Sequence, residues 1–219
     1  MGIIMKKVAF MHSTSLVLNP VKNASKILSG EFEFFHVVDE GVLGLLMREG
    51  SIKDSVVEVM RRIAVNCEQT GMDMMVCTCS SLSPVLDYIQ NDVTIPLLKI
   101  DRLMFEHAVR TCKKIGVIMT NPTTQKPSRF MFDQVCSDLN LYPDFVSVLC
   151  KDAFLKVKQG DVEGHDQDVI TAAHRVAASV DIIILAQISI ARVKELLPVH
   201  IRKKTITSLE FLDETLNSI

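Results

Sequence analysis

Short apolar segments alternate with segments of helical periodicity along the whole chain. The apolar segments predict β-strands near residues 7–12, 32–38, 73–79, 96–100, 114–119, 144–149, 181–187 and 204–207. Between them, apolar residues recur three and four positions apart, most clearly at 52–70 and at about 163–179, which predicts amphipathic helices. Strands that alternate with helices form parallel sheets covered on both faces, so we predict an α/β fold.

Two stretches of sequence recur at a nearly constant separation. "KKVAFMHST" from Lys6 matches "KKIGVIMTN" from Lys113, and "MDMMVCTCSS", ending at Ser81, matches "VDIIILAQIS", ending at Ser189. The separations are 107 and 108 residues. Because each match contains a strand and the turn after it, we predict two similar lobes, residues 1–100 plus 208–219 and residues 101–207. The ligand cleft is expected between the lobes, at the carboxyl ends of the strands.

Composition favours a small molecule as the partner. The chain has 219 residues, of which 48% are hydrophobic and 23% charged, and its net charge is −2, so neither nucleic acid nor a membrane surface is an expected partner. Its six cysteines lack the paired spacings of zinc sites and disulfide scaffolds, which favours a reducing cytoplasm. The longest uncharged apolar run near the N-terminus is too short for the core of a signal peptide. The sequence also contains no Gly-rich phosphate-binding loop. We therefore expect an uncleaved cytoplasmic protein without a nucleotide cofactor.

Hydroxyl and amide side chains follow four of the predicted strands, in "HSTS" (12–15), "CSS" (79–81), "TNPTT" (120–124) and "QIS" (187–189). In one loop such residues often only cap the next helix. Four loops from two equivalent lobes would direct hydroxyl groups and helix N-termini towards one cleft, which suits a carboxylate. The predicted substrate-binding residues are Ser13, Thr14, Ser80, Ser81, Thr120, Asn121, Thr123, Thr124 and Ser189.

Cys79 is the strongest candidate for a reactive group. A thiol between a strand end and a helix N-terminus has a thiolate stabilised by the helix dipole, so Cys79 could act as a base or a nucleophile. Cys77, two residues earlier, is predicted to lie in the core. His12 ends the first strand, where it either enters the cleft or makes a structural hydrogen bond. Residues 39–50, with three glycines, are either a mobile lid or a packed loop.

The strand that ends in "CSS" and its counterpart 108 residues later resemble the aspartate/glutamate/hydantoin racemase superfamily, over essentially the whole chain. The resemblance implies two flavodoxin-like lobes related by a pseudo-twofold axis, no cofactor, a small carboxylate held between the lobes, and often a homodimer. In that family each lobe typically supplies one cysteine, from a "CNT"-like turn and a "GCT"-like turn. One thiolate removes the proton next to the carboxylate, and the other thiol delivers a proton to the opposite face.

Only the first of these two turns is matched. Cys79 with Ser80 and Ser81 fits it, whereas Gln187 stands in the place of the second cysteine. A carboxamide cannot serve as a general acid or base, but it can donate a hydrogen bond to an oxyanion or enolate. We predict that Gln187 and Cys79 face each other across the cleft, with His12 as the nominated second acid or base.

The sequence is compatible with three functions. The first is an isomerase or racemase that acts next to the carboxylate of an amino acid or related small acid, with Cys79 as thiolate base and acid. The second is a single-cysteine decarboxylase of a malonate-like acid. The third is an inactive protein that only binds a small carboxylate.

Overall fold

Two four-stranded parallel sheets organise the chain, each within its own compact unit. The structure, a computed structural model, describes residues 5–28 and 30–218. The first unit comprises Met1–Ile100 and Phe211–Ile219, and the second comprises Asp101–Glu210. The α/β class and the parallel sheets predicted from the hydrophobic pattern are confirmed.

The first unit begins with four strands and four helices. The strands are β1 (Lys6–His12), β2 (Phe32–Val38), β3 (Met74–Cys77) and β4 (Leu97–Lys99). The helices are α1 (Leu18–Ser25), α2 (Glu40–Glu49), α3 (Asp54–Gln69) and α4 (Leu86–Ile89). Short 3-10 turns lie at Ser15–Val17, Lys26–Leu28, Ser83–Val85 and Gln90–Asp92. The strand order is β2-β1-β3-β4, and all three pairings are parallel.

The second unit repeats this arrangement. Its strands are β5 (Lys114–Met119), β6 (Asp144–Leu149), β7 (Ile182–Leu185) and β8 (Thr205–Thr207), in the order β6-β5-β7-β8. Its helices are α5 (Arg102–Thr111), α6 (Gln125–Leu139), α7 (Lys151–Lys158), α8 (Val162–Ala177) and α9 (Val199–Arg202), with 3-10 segments at Pro122–Thr124 and Ile188–Leu196. The 3-10 turn Ser208–Phe211 follows β8 and leads into α10 (Leu212–Leu216), which belongs to the first unit.

Equivalent hydrogen bonds show that the two units share one local design. The carboxylate of Asp73, just before β3, accepts a bond from the backbone N–H of Lys7 at 2.7 Å. The carboxylate of Asp181, just before β7, accepts bonds from the N–H groups of Lys113 at 3.0 Å and Lys114 at 2.9 Å. Each carboxylate therefore joins the starts of the two central strands of its sheet, at positions related by the sequence repeat.

In the core of the first unit, strands β1 and β3 pack against helix α3. Alternate residues of β1 and β3, among them Met11 and Cys77, are buried against α3 residues such as Val56 and Met60. This alternation follows from the period of two along a strand, and the spacing of four along α3 gives the helix a matching apolar face. The prediction that Cys77 lies in the core is therefore confirmed by its complete burial.

The segment 39–50 forms helix α2 rather than a loop. Asp39 caps the helix by accepting a bond from the N–H of Val42 at 3.2 Å, and Gly50 ends it with a φ of 69°. Val42 and Leu46, four positions apart, are buried. Their helical spacing prevails over the glycines because it packs one face on the core. Among the described residues, no helix is long and apolar enough to cross a lipid bilayer.

Candidate functional site

The polar loops begin where the central strands of each sheet end. β3 stops at Cys77 and β7 at Leu185, two residues earlier than the sequence predicts. The last sheet-like bonds are those from Thr78 N–H to the Met11 carbonyl and from Ala186 N–H to the Ile118 carbonyl, both at 3.0 Å. The chain then leaves each sheet. Cys79 in the first unit and Gln187 in the second thus occupy equivalent loop positions.

In the second unit, Gln187 bonds to the loop that follows β5. Its Oε1 atom accepts hydrogen bonds from Thr120 N–H at 2.7 Å, Thr120 Oγ1 at 3.2 Å and Asn121 N–H at 3.2 Å. Only the oxygen of a carboxamide can accept three such bonds, so its orientation is settled by its partners. The Nε2 group has no acceptor among residues 5–28 and 30–218, and it is the part of Gln187 that can still donate.

Part of the same loop serves as a helix cap. Asn121 Oδ1 accepts a bond from Thr123 N–H at 3.0 Å, and the Asn121 carbonyl accepts one from Thr124 N–H at 3.0 Å. Pro122 stands at the first position of the 3-10 turn, where no N–H is needed. The Asn121 side chain therefore shapes the loop, as the sequence "NP" suggests, and Thr124 is buried beneath it.

In the first unit, the equivalent pair of backbone N–H groups belongs to Ser13 and Thr14. They correspond through the repeat to Thr120 and Asn121. Neither N–H group has an acceptor within the described part of the chain, although Ser13 is only 3% exposed. Buried backbone N–H groups are almost always paired in folded proteins. The Ser13 donor therefore suits an acceptor from outside the chain, whereas Thr14 is half-buried, so its N–H is also within reach of water.

Cys79 lies next in the loop after β3 and is half-buried. Its carbonyl oxygen accepts bonds from Leu82 N–H at 2.9 Å and Ser83 N–H at 3.0 Å, and lies 3.6 Å from Sγ of Cys77. These bonds close a tight turn. The helix expected from the sequence is present as three consecutive short elements, the 3-10 turn Ser83–Val85, α4 and the 3-10 turn Gln90–Asp92, and the helix-dipole stabilisation of a Cys79 thiolate stays a prediction. Ser80 and Ser81 are both buried in this turn.

His12, at the end of β1, is completely buried. Its Nδ1 lies 2.8 Å from Oγ1 of Thr78, and its Nε2 lies 2.8 Å from Nδ1 of His36. Burial, His36 and Lys22 lower the pKa of His12 to about 4, so the imidazole is neutral at pH 7. A role for His12 as a second acid or base would require one of its two hydrogen bonds to open first. That role stays a prediction.

The hydroxyl groups of Thr14 and Ser15 in the first loop have local partners. Thr14 Oγ1 accepts a bond from Leu16 N–H at 3.4 Å. Both the N–H and the Oγ of Ser15 donate to Oε1 of Glu40, at 2.7 and 2.8 Å. These bonds lower the pKa of the Glu40 carboxyl. Glu40 and His36 are residues that sequence reasoning missed, and the only sequence signal for His36 is its place in the alternating apolar pattern of β2.

Near Ser189 the structure shows a cluster of charged side chains that the sequence did not indicate. Arg192 Nη1 donates to the Ser189 carbonyl at 2.6 Å, and its guanidinium also binds the Asp166 carboxylate, at 2.7 Å through Nη2. The Asp166 carboxylate is 2.7 Å from Nδ1 of His165, which is buried. The cluster holds the start of α8 against the 3-10 segment that follows Gln187.

The remaining cysteines differ in burial, and three of them have a raised thiol pKa. Cys67 and Cys136 are buried, Cys112 and Cys150 are half-buried, and none of the six cysteines forms a disulfide. Burial raises the pKa of the thiols of Cys67, Cys136 and Cys150. Within the described residues, no three side chains of His, Cys, Asp or Glu come together as metal ligands.

The chain matches a known protein family over most of its length. Residues 43–211 match the sequence model of the family described as Asp/Glu/Hydantoin racemase. No curated protein matches the sequence of the chain.

Three solved structures share the fold. Glutamate racemase from Campylobacter jejuni subsp. jejuni is 19% identical, with a TM-score of 0.71 over 97% of this chain and 85% of its own. Aspartate racemase from Picrophilus torridus is 13% identical, with a TM-score of 0.70 over 97% of this chain and 94% of its own. Allantoin racemase from Klebsiella pneumoniae is 12% identical, with a TM-score of 0.69 over 97% and 86%. At these identities the likeness shows the fold alone.

Proposed function

The chain belongs to the Asp/Glu/hydantoin racemase family, and from this premise we propose that it is a cofactor-independent racemase or isomerase. Its substrate in this proposal is an amino acid or a related small acid, and the reaction takes place at the carbon next to the carboxylate. We further propose that Cys79 is the group that moves the proton. The expected cytoplasmic location and homodimer remain predictions.

The observation that carries the substrate class is the pair of N–H donors at Ser13 and Thr14. In the second unit, the equivalent donors at Thr120 and Asn121 bind an sp² oxygen, the Oε1 of Gln187. A carboxylate oxygen has the same hybridisation and carries a charge, so it forms stronger bonds with the same kind of donor pair. The open pair in the first unit thus supports a carboxylate as the ligand.

The internal repeat supports Cys79 as the group that moves the proton. Gln187 reaches the Thr120 N–H with its side chain, and from the equivalence of the two loops we infer that Cys79 lies beside the Ser13 N–H. In the proposed step the thiolate takes the proton, so the C–H bond breaks, an S–H bond forms, and the electron pair moves onto the carboxylate oxygens. The two N–H donors stabilise the charge that develops there.

Gln187 has a different part in this proposal. Its Oε1 is occupied, and its Nε2 can donate a hydrogen bond to the substrate but cannot exchange a proton near pH 7. Racemisation therefore needs an acid or base other than Gln187 on the second face of the carbon. His12 remains the nominated residue, and because its imidazole is neutral at pH 7 it would act there as a base once one of its hydrogen bonds has opened.

The absence of an ionisable group at position 187 favours decarboxylation as the second candidate function. In that reaction the bond to one carboxylate breaks, CO₂ leaves with the electron pair remaining on the enediolate, and the Cys79 thiol delivers one proton to one face. No second acid is required, so a single cysteine is sufficient.

Incubation in D₂O with a panel of amino acids, hydantoins and malonates tests these functions. Mass spectrometry, chiral chromatography and CO₂ detection are applied to the wild type, to Cys79→Ser and to the control Cys112→Ser. Deuterium uptake with inversion, lost in Cys79→Ser but not in the control, would support the racemase. CO₂ release with the same dependence would identify the decarboxylase. Acids that bind without exchange or CO₂ release would overturn the proposal and leave a binding protein.

A further inference from the structure

The two units hold their central strand ends together in different ways. In the second unit, the Gln187 side chain bonds to Thr120 and Asn121 and so links the loop after β7 to the loop after β5. In the first unit, the link is the bond between His12 at the end of β1 and Thr78 after β3. The repeat places Met119 and Ala186 at the positions of His12 and Thr78, and these two side chains cannot form such a link.

Two directions are possible for these bonds, because the single hydrogen of the Thr78 hydroxyl can go to the Met11 carbonyl, at 2.9 Å, or to Nδ1 of His12, at 2.8 Å. We assign this hydrogen to the Met11 carbonyl. The Thr78 oxygen then accepts from His12, which places the His12 hydrogen on Nδ1. The Nε2 atom of His12 then carries a lone pair, which accepts from Nδ1–H of His36. The chain of donors runs from His36 to His12, then to Thr78, and ends on the Met11 carbonyl.

His36 is held in place for this donation. Its ring is nearly parallel to that of Phe10, with 5.6 Å between centroids, and lies edge to edge with that of His12, with 5.2 Å between centroids. Residues 10 and 36 are directly paired across β1 and β2, so both side chains lie on the same face of the sheet. The charged group that acts on the two imidazoles is Lys22 of α1. The Nε2 atom of His36 has no partner among the described residues.

We propose that His36 is a positioning residue, which keeps His12 in the Nδ1–H tautomer and thereby holds Thr78 and the turn that carries Cys79. The hydrogen bond at one imidazole nitrogen decides which nitrogen carries the proton. Without a donor at position 36, His12 can adopt the Nε2–H tautomer, whose bare Nδ1 can only accept from the Thr78 hydroxyl, which then gives up its bond to the Met11 carbonyl. The relevance of this turn to catalysis rests on the proposed role of Cys79, but the tautomer and the turn can be measured without substrate.

Two substitutions of His36 separate the donor from the ring. His36→Asn places an amide N–H at about the same distance from the backbone as Nδ1 and keeps the donor, whereas His36→Phe keeps a stacked ring and removes the donor. His174, an exposed histidine of α8, provides the control variant His174→Asn.

Two-bond ¹H–¹⁵N correlation spectra of the full-length protein at pH 7.5 report the tautomer of His12. We expect Nδ1–H in the wild type, in His36→Asn and in His174→Asn, and a loss of this single tautomer in His36→Phe. The alkylation rate of Cys79 by iodoacetamide should fall about fivefold in His36→Phe, the effect of roughly one net hydrogen bond, and be restored in His36→Asn.

Three results would overturn the inference. These are an Nε2–H tautomer of His12 in the wild type, an unchanged tautomer in His36→Phe, and a changed tautomer with an unchanged Cys79 rate. If His36→Phe does not fold, the inference is still tested by the tautomer of His12 in the wild type and by the alkylation rate of Cys79 in His36→Asn. Because neither measurement uses turnover, a chain that proves inactive would contradict the proposed function and leave this inference standing.

Discussion

The Nδ1 atom of His12 lies 2.8 Å from Oγ1 of Thr78, and this bond joins the end of β1 to the residue that precedes Cys79. A buried imidazole in this position must be neutral in the folded state. Burial, with His36 and Lys22, lowers the pKa of His12 to about 4, whereas in the unfolded chain a histidine titrates near its ordinary value of 6.5.

This difference predicts a loss of stability in mild acid. Between pH 6.5 and about 4 the unfolded chain binds a proton at His12 that the folded chain does not, so the free energy of unfolding falls as the pH falls. The contribution of His12 is on the order of 3 kcal/mol across this range. Urea unfolding at pH 7.5 and pH 4.5 measures the fall.

The matched variant for this prediction is His12→Met, because methionine is the residue at the equivalent position 119. It should lose less stability than the wild type between the two pH values. An equal loss in both proteins would show that other groups cause the effect.

Gln187 has an acceptor and a donor whose roles can be separated. Gln187→Ala leaves the N–H groups of Thr120 and Asn121 without their acceptor and should lower the free energy of unfolding by about 1–3 kcal/mol. Gln187→Glu keeps acceptor oxygens for these N–H groups, so it should unfold like the wild type. It also replaces the Nε2 donor by a carboxylate that repels an anionic substrate, so deuterium exchange at pH 7 should be at least about tenfold slower. Full stability of Gln187→Ala, measured in urea, would contradict the bonding described for this loop.

The carboxylates that precede β3 and β7 allow a matched comparison of the two units. Asp181 accepts two backbone N–H bonds and Asp73 accepts one. Asp73→Ala should cost about 1 kcal/mol of unfolding free energy and Asp181→Ala more than that. The Asn variants retain an acceptor oxygen and serve as controls that should lose less. Equal stability of Asp181→Ala and Asp181→Asn would show that these bonds contribute nothing measurable.

The surroundings of the cysteines predict different rates of alkylation. Burial raises the pKa of the Cys67, Cys136 and Cys150 thiols, which lowers their thiolate fraction at pH 7. With iodoacetamide on the native protein, we expect Cys79 to react fastest, as measured by peptide mass spectrometry over time. Should another cysteine react as fast as Cys79, the proposed role of Cys79 would lose its chemical support.

The strands and the internal repeat could be predicted because they depend on local patterns. Apolar runs mark the buried strands. The start of α8 follows an equally local rule, because the Asp161 carboxylate accepts the N–H of Gly164, three residues later, at 2.8 Å. Helix α2 was harder, since its glycines indicate a loop while the spacing of Val42 and Leu46 indicates a helix.

The bonds among His12, His36 and Thr78 could not be predicted in the same way. They depend on the register that pairs Phe10 with His36, and on β3 lying beside β1, although these strands are distant in the sequence. The repeat gave the position of Gln187 correctly. It could not show that the carboxamide oxygen bonds to the Thr120 and Asn121 N–H groups and leaves only Nε2 as a donor.

Gln187 also bears on the stoichiometry of binding. A duplicated chain with two equivalent pairs of N–H donors could in principle take up two acid molecules. In the second unit, however, the Gln187 side chain saturates the pair at Thr120 and Asn121 from within the chain. We therefore expect calorimetric titration with a small acid to reach its end point at one molecule per chain, and Gln187→Ala to be the variant in which a second, weaker molecule can bind.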